Sequence, residues 1–291
     1  ISMGKKYGIR VSRPGNGICH LVHCGRFALP GRTLLGTDSH TPTSGALGML
    51  ALGAGGIDVA AAMAGEPFYL KMPRVVNVRL TGSFKPGVGA KDLALAIAGR
   101  FTVKGGTGCV LEYTGPALGH LTVPQRMTLA NMGAETGATS SIFPSDEQTR
   151  IYLKAQGREA DFLPLAADPG AEYGQVVEFD LGEVDFMAAK PSQPDRVTPV
   201  RELRGIPVNQ VYIGSCTNSS YSDLKTAARI LRGRMVPDHV SLVVSPGSRQ
   251  NYQMMMEEGI LSDFVLAGAR ILEYGCGPCV GMGQAVQSGG V

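Results

Sequence analysis

The sequence has no tryptophan, and its aromatic content is only 6%. Charged residues make up 18%, and Lys+Arg exceed Asp+Glu by 27 − 24 = +3. So small an excess, without clustered Lys/Arg among interleaved aromatics, excludes nucleic-acid binding as the main function. With 44% hydrophobic residues the chain is neither a disordered tail nor a coiled coil. It also lacks an uninterrupted membrane-length run, which needs ~20 apolar residues. Its most apolar stretch, Ala46 to Gly65, carries Gly53, Gly55, Gly56 and Asp58, and predicts two short buried helices. Neither a basic-then-apolar leader nor an initiator methionine opens the chain. It begins Ile1-Ser2-Met3-Gly4-Lys5-Lys6 and reads as the middle of something longer. Six cysteines in 291 residues are too few for a disulfide scaffold, so a reducing, cytoplasmic setting is expected.

Glycine is what the chain has in excess: 40 of 291, about twice the average of ~7%. Without a G-X-Y period this points to tight turns and to close backbone approach at a ligand. At ~150 residues per domain the length corresponds to about two domains, and the pattern separates into three blocks. The first, to about Pro73, is rich in small residues and holds a polar turn at Thr37-Asp38-Ser39-His40-Thr41-Pro42. The second opens with a β-branched strand, Arg74 to Leu80, followed by a helix over Asp92–Arg100 and a strand over Cys109–Tyr113. A helix over about Gln125–Glu135 comes next, then Ser145-Asp146-Glu147-Gln148 as a capping box for a helix running to about Gln156.

Pro191, Pro194 and Pro199 mark the segment from Met187 to Val200 as a linker or long surface crossing. The third block alternates again: strands at Val208–Ile213, Leu242–Val244 and Arg270–Glu273, helices at Tyr221–Leu231 and Arg249–Glu258. This alternation predicts an α/β fold with parallel strand pairs. Two turns that follow these strands carry unusual chemistry, Gly214-Ser215-Cys216-Thr217-Asn218 and Gly275-Cys276-Gly277-Pro278-Cys279. Ligands of open α/β sheets bind at the carboxyl ends of strands.

Four readings of Cys216, Cys276 and Cys279 compete. They are small buried residues; or Cys276 and Cys279 are a thioredoxin-type redox pair; or the three hold structural zinc, which needs a fourth ligand; or they hold an iron–sulfur cluster by three thiolates. Against the redox pair stand the Gly-rich continuation Val280-Gly281-Met282-Gly283 and the lack of a role for Cys216. Spacing alone does not separate the four. Cys19, Cys24 and Cys109 fall outside the pattern and are read as ordinary structural cysteines.

Among acid–base residues, Asp38-Ser39-His40 places a carboxylate, a hydroxyl and an imidazole within one turn, where a helix N-cap is the plainer explanation. His20 sits in an apolar setting, as core histidines do. Glu135, in Asn131-Met132-Gly133-Ala134-Glu135, lies near a helix C-terminus, where its charge opposes the helix dipole. Serine-hydrolase, P-loop and HExxH patterns are absent.

Taken in order, Gly36-Thr37-Asp38-Ser39-His40-Thr41-Pro42, Asn131 to Glu135, Ile213 to Ser220 and Gly275 to Gly281 resemble the motifs of aconitase-type hydro-lyases. The likeness runs from about Gly15 to the last residue. The Ser-Cys-Thr-Asn-Ser-Ser-Tyr and Cys-Gly-Pro-Cys forms are closer to the aconitate hydratase branch than to isopropylmalate dehydratase large subunits. The resemblance implies an aconitase-like three-domain core: a partial first domain (1–73) with the DSH motif, a central domain (74–192), and an incomplete domain (193–291) bearing the cluster.

It further implies that Cys216, Cys276 and Cys279 bind a [4Fe–4S] cluster whose fourth iron acts as a Lewis acid on the substrate hydroxyl. Asp38, Ser39 and His40 would contact substrate. His20 would pair with Asp38, and His40 with Glu135, as catalytic residues. Asn131 and Asn218 would lie beside the cluster. The implied reaction interconverts citrate and isocitrate through cis-aconitate, with the isopropylmalate or homoaconitate branch as alternative. Rivals of another class are an RNA-binding regulatory apo-form and a thiol–disulfide oxidoreductase. Expected partners are a small di- or tricarboxylic acid and a C-terminal swivelling domain on the same or a separate chain; no membrane and no nucleic acid are expected. The family's substrate-binding arginines, its base serine and an earlier Asp-His pair have no counterpart within residues 1–291.

Overall fold

The computed structural model describes residues 1–291, which divide into two compact units. One is His23–Gly205; the other joins Ile1–Val22 to Ile206–Val291. The chain passes from one to the other within the helix Cys19–Arg26 and again after Gly205.

In the unit His23–Gly205, strands β1 (Thr33–Gly36) and β2 (Leu50–Gly53) form a parallel pair. The main sheet is built from β3 (Arg74–Thr81), β4 (Cys109–Thr114), β5 (Ser140–Ile142) and β6 (Gln175–Asp180), in the order β5-β4-β3-β6 and all parallel. Parallel neighbours need crossovers. The helix Ala90–Phe101 carries β3 to β4, and the helix Val123–Met132 carries β4 to β5. The first buries Leu93, Ala94, Ile97, Ala98 and Phe101, a helical period facing a sheet whose β3 turns Val76, Val78 and Leu80 inward. Its start is capped by Asp92, whose carboxylate accepts the Gly89 N–H at 2.9 Å.

The α/β expectation holds, with local corrections. Residues 46–65 are not two buried helices. They finish a 3-10 turn (Thr41–Leu47), form β2, and end in the helix Gly56–Met63, which buries none of its residues. Its large apolar side chains Ile57 and Met63 stand 87% and 62% exposed. The stretch 187–200 is not a linker: β7 (Met187–Ala189) and β8 (Val197–Pro199) pair antiparallel, and the prolines fall in the turn and at the strand end. The helix at 147 is capped by Asp146 rather than Ser145; Asp146 Oδ1 accepts the Gln148 and Thr149 N–H groups, while Ser145 bridges Leu165. The helix expected through Glu135 ends at Met132 and tightens into a 3-10 turn, Gly133–Thr136, stopped by left-handed Gly137.

The second unit repeats the logic on a smaller scale. Strands β9 (Gln210–Ile213), β10 (Ser241–Val244) and β11 (Arg270–Ile271) lie parallel in the order β11-β10-β9. The helix Tyr221–Leu231 joins β9 to β10, with Ser220 and Asp223 forming its reciprocal cap; the helices Arg249–Glu257 and Ile260–Leu266 join β10 to β11. Leu224, Ala228, Val244, Met255, Ile260 and Phe264 form its core. No helix of either unit is long and apolar enough to cross a membrane.

Candidate active site

The Asp38-Ser39-His40 turn leaves the carboxyl end of β1 and enters the 3-10 turn Thr41–Leu47. Backbone and side chain lock it together. Asp38 Oδ1 accepts the His40 N–H at 2.8 Å, and the Asp38 carbonyl accepts Thr41 Oγ1–H at 2.7 Å. Thr43 Oγ1 donates to the His40 carbonyl at 2.7 Å and accepts from Asn131 Nδ2 at 2.8 Å. Asn131 is fully buried, so the turn is tied to the helix Val123–Met132 from inside. Gly45 permits the close approach of this segment to β5, since a Cβ there would run into the Ser141 carbonyl.

His40 Nε2 lies 3.0 Å from Glu135 Oε1, and its Nδ1 lies 3.6 Å from Asp38 Oδ1 and 3.4 Å from Ser39 Oγ. The Glu135 hydrogen bond is the main cause that raises His40 above its ordinary pKa; partial burial works against it, and the charges of Glu135 and Asp38 add to it. Glu135 is lowered by the same bond, with Lys91 assisting. An acid at a helix end opposes the dipole. Here the imidazole is the compensation.

The three cysteines belong to the other unit. Cys216 follows β9, and Cys276 and Cys279 follow β11, so both turns leave the carboxyl edge of one parallel sheet with β10 between them. Cys276 and Cys279 are exposed, Cys216 is half-buried, and none of the six cysteines is in a disulfide. Tyr212, on β9, senses the loop from the opposite edge: burial raises its pKa, and the charges of Cys279 and Cys276 push the same way. Three thiols on turns that leave one sheet edge suit a soft metal centre. The redox-pair geometry is lacking, because Cys276 caps only a four-residue 3-10 turn, Gly277–Val280, that Gly281 ends. Cys24 and Cys109 are engaged elsewhere: Cys24 Sγ lies 3.7 Å from Ser44 Oγ, and Cys109 Sγ accepts Arg74 Nη2–H at 3.4 Å.

Within His23–Gly205 the fold therefore gathers Asp38, Ser39, His40, Asn131 and Glu135. The other unit carries His20, buried in the first turn of the helix Cys19–Arg26, together with Cys216, Asn218, Cys276 and Cys279. Asn218 is half-buried, its N–H given to the Gly214 carbonyl at 3.2 Å. Three residues escaped sequence reasoning: Thr43, Lys91 and Tyr212. Only Thr43 had a local signal, as a hydroxyl three residues after His40.

The model of the aconitase family (aconitate hydratase) matches residues 2–291. The chain is 43% identical over 286 residues to 3-isopropylmalate dehydratase large subunit 2 of Archaeoglobus fulgidus, covering 98% of this chain and 69% of that protein. It is 40% identical over 281 residues to the 3-isopropylmalate dehydratase large subunit of Elusimicrobium minutum (97% and 67%). It is also 40% identical over 294 residues to mitochondrial aconitate hydratase of Schizosaccharomyces pombe (95% and 37%). The crystal structure of Thermococcus kodakaraensis aconitase X (holo-form) shares the fold, with a TM-score of 0.54 at 16% identity over 94% of this chain and 64% of that one. The chain thus spans 69% of the first of these relatives and 37% of the aconitate hydratase. A family model that matches residues 2–291 of this chain, and relatives of this identity, place the chain in the aconitase family.

Proposed function

We propose that this chain is the cluster-bearing core of a hydro-lyase that interconverts citrate and isocitrate through cis-aconitate. The observation that carries this reading is the His40–Glu135 pair, which supplies a poised proton donor beside a carboxylate and a hydroxyl. With Nε2 bonded to Glu135, Nδ1 is the nitrogen that delivers a proton, and Ser39 Oγ at 3.4 Å lies on that side. The raised pKa keeps the imidazole charged closer to neutral pH, as an acid for a departing hydroxyl requires. Asp38 and Ser39 bind substrate, and His20 is a further proton-handling group.

Cys216, Cys276 and Cys279 would hold a [4Fe–4S] cluster through three thiolates, with Asn131 and Asn218 as its hydrogen-bonding neighbours. Bound there, the cluster supplies a Lewis acid at the iron that no protein thiolate holds. Residues 1–73, 74–192 and 193–291 are the functional blocks carrying the DSH turn, Glu135 and the thiols. A C-terminal swivelling domain, on the same or a second chain, supplies the base and the arginines that orient the carboxylates.

A second reading has its own support. The two isopropylmalate dehydratase large subunits are matched over 69% and 67% of their length, against 37% for the aconitate hydratase. One experiment separates the two. The chain is joined by its C-terminal domain, its cluster is reconstituted, and citrate, isocitrate and 3-isopropylmalate are assayed in parallel by alkene absorbance. Turnover of citrate and isocitrate is expected. Turnover of isopropylmalate alone would select the second reading, and turnover of none with an intact cluster would reject both.

A further inference from the structure

The turn that presents Cys216 is held in a conformation its own residues disfavour. Ser215 has φ +66, in the left-handed region that non-glycine residues seldom occupy. Such a conformation persists where the surroundings over-determine it. What holds it is Tyr212, whose hydroxyl accepts the Ser215 N–H at 3.0 Å from four residues before Cys216. The tyrosine lies close beneath the turn: a Cβ on Gly214 would come within 2.7 Å of Tyr212 Oη and 2.9 Å of the Ser245 carbonyl oxygen.

Beside it, the Ser245 backbone N–H is given to the Ile213 carbonyl at 2.9 Å. Ser245 is fully buried just past β10, and its Oγ–H is given to the Glu273 carbonyl at 2.8 Å. Glu273 stands three residues before Cys276. Ser245, at the end of the middle strand, thus bonds both the end of β9, at Ile213, and the segment before Cys276, at Glu273. Tyr212 braces the Cys216 turn itself through the Ser215 N–H.

We propose that Tyr212 and Ser245 are positioning residues that fix the Cys216 turn relative to the Cys276–Cys279 loop and so strengthen soft-metal binding by the three thiols. This rests on the reading of those cysteines as ligands. Neither hydroxyl is itself a ligand; each acts through the backbone that carries one. Losing such an outer partner costs about 10- to 100-fold in metal affinity.

The test uses the full 291-residue chain, reduced and metal-free, titrated with cadmium ion alone and followed by sulfur-to-cadmium charge-transfer absorption. The part of the band lost in Cys216→Ser defines the three-thiol site. Tyr212→Phe and Ser245→Ala are expected to weaken that component about 10- to 100-fold, and Tyr212→Phe to speed amide exchange at Ser215, while Ser245→Thr, which keeps the hydroxyl, binds as the parent does. Thermal melts run alongside identify the folded variants. If Tyr212→Phe does not fold, the Ser245→Ala and Ser245→Thr pair decides. Folded variants that bind cadmium as the parent does would overturn the positioning role while leaving the ligand reading intact. A parent chain with no Cys216-dependent band would overturn the ligand reading, and the proposal with it.

Discussion

His40 Nε2 and Glu135 Oε1 meet at 3.0 Å although 95 residues of chain separate them. The bond joins the turn after β1 to the 3-10 turn after the helix Val123–Met132, and it shifts both groups toward their charged forms. On the proposed reading this pair is the acid, with Asp38 and Ser39 on the other imidazole nitrogen.

The pair has a signed pH dependence. His40 is raised from 6.5, so its stabilising contribution is complete below that value and is lost as pH rises through the higher folded-state value. Glu135 is lowered from 4.5, so its contribution is complete above that value and is lost as pH falls through the lower folded-state value. The difference in melting temperature between the parent and Glu135→Gln should therefore be largest between pH 4.5 and 6.5. In the same variant the His40 imidazole resonance should titrate at lower pH, with Asp38 still holding part of the shift. A His40 titration unmoved by Glu135→Gln would show that the bond is not formed in solution.

Arg126 is expected to be the residue whose loss most damages this unit. Its side chain is fully buried, and all five N–H donors have partners: the carbonyls of Leu121, Pro144 and Leu118, and both oxygens of Asp146 at 2.9 and 2.6 Å. Asp146 also caps the helix Glu147–Ala155, so one ion pair binds two helices. Arg126→Ala leaves three carbonyls and a carboxylate without their donor. Breaking a fully buried pair costs about 3–5 kcal/mol, and with Asp146 32% exposed a loss near the lower end is expected. A urea-denaturation difference below about 1 kcal/mol would refute the assignment, since surface pairs reach no more than that.

The thiols should sort by environment. Cys24 is fully buried and its pKa is pushed up to about 12, chiefly by burial, and Cys109 is buried under β3 and β4 contacts. Brief alkylation of the native, cluster-free chain followed by peptide mass mapping should label Cys276 and Cys279 and spare Cys24 and Cys109. After reconstitution, Cys279→Ser should lose iron and the brown chromophore, while Cys109→Ser keeps both. The opposite pattern would remove Cys279 from the ligand set.

Activity should follow the division of labour. On the proposed reading His40 is the acid and Cys216, Cys276 and Cys279 hold the cluster, while the base and the arginines come from the C-terminal domain. A missing positioned base alone costs about 10²–10⁴ in rate, and loose substrate adds to that. Residues 1–291, reconstituted alone, should bind iron and sulfide yet leave citrate and isocitrate unchanged. Supplying the C-terminal domain should start turnover. Ready formation of cis-aconitate by the isolated chain would mean that the base lies within these residues.

Local chemistry made much of this legible from sequence. The β-branched run at 74–80 became β3, the helix expected over Tyr221–Leu231 formed over those residues, and the cysteines fell where strands end. These outcomes depend on neighbours within a few residues, through propensity, capping and period. Where one residue type serves two structures, sequence failed. Three prolines in 191–199 read as a linker, yet β7 and β8 are short and paired only with each other, so the prolines interrupt nothing. Ser145 and Asp146 are both good caps, and Arg126, distant in sequence, reinforces the choice of Asp146.

The site divides in the same way. Asp38, His40, Glu135 and the three cysteines stood out as candidates by motif and residue type. What joins them was not. Glu135 looked misplaced at a helix end until the fold brought His40 to it, and Tyr212 was one apolar-leaning strand residue until the αL turn of Ser215 placed an N–H on its hydroxyl. Hydrogen bonds and ion pairs are decided by distances of a few ångströms, and those distances follow from how helices and strands pack across the chain. Sequence determined which groups are present and which local structures carry them; tertiary packing alone decided which of them meet.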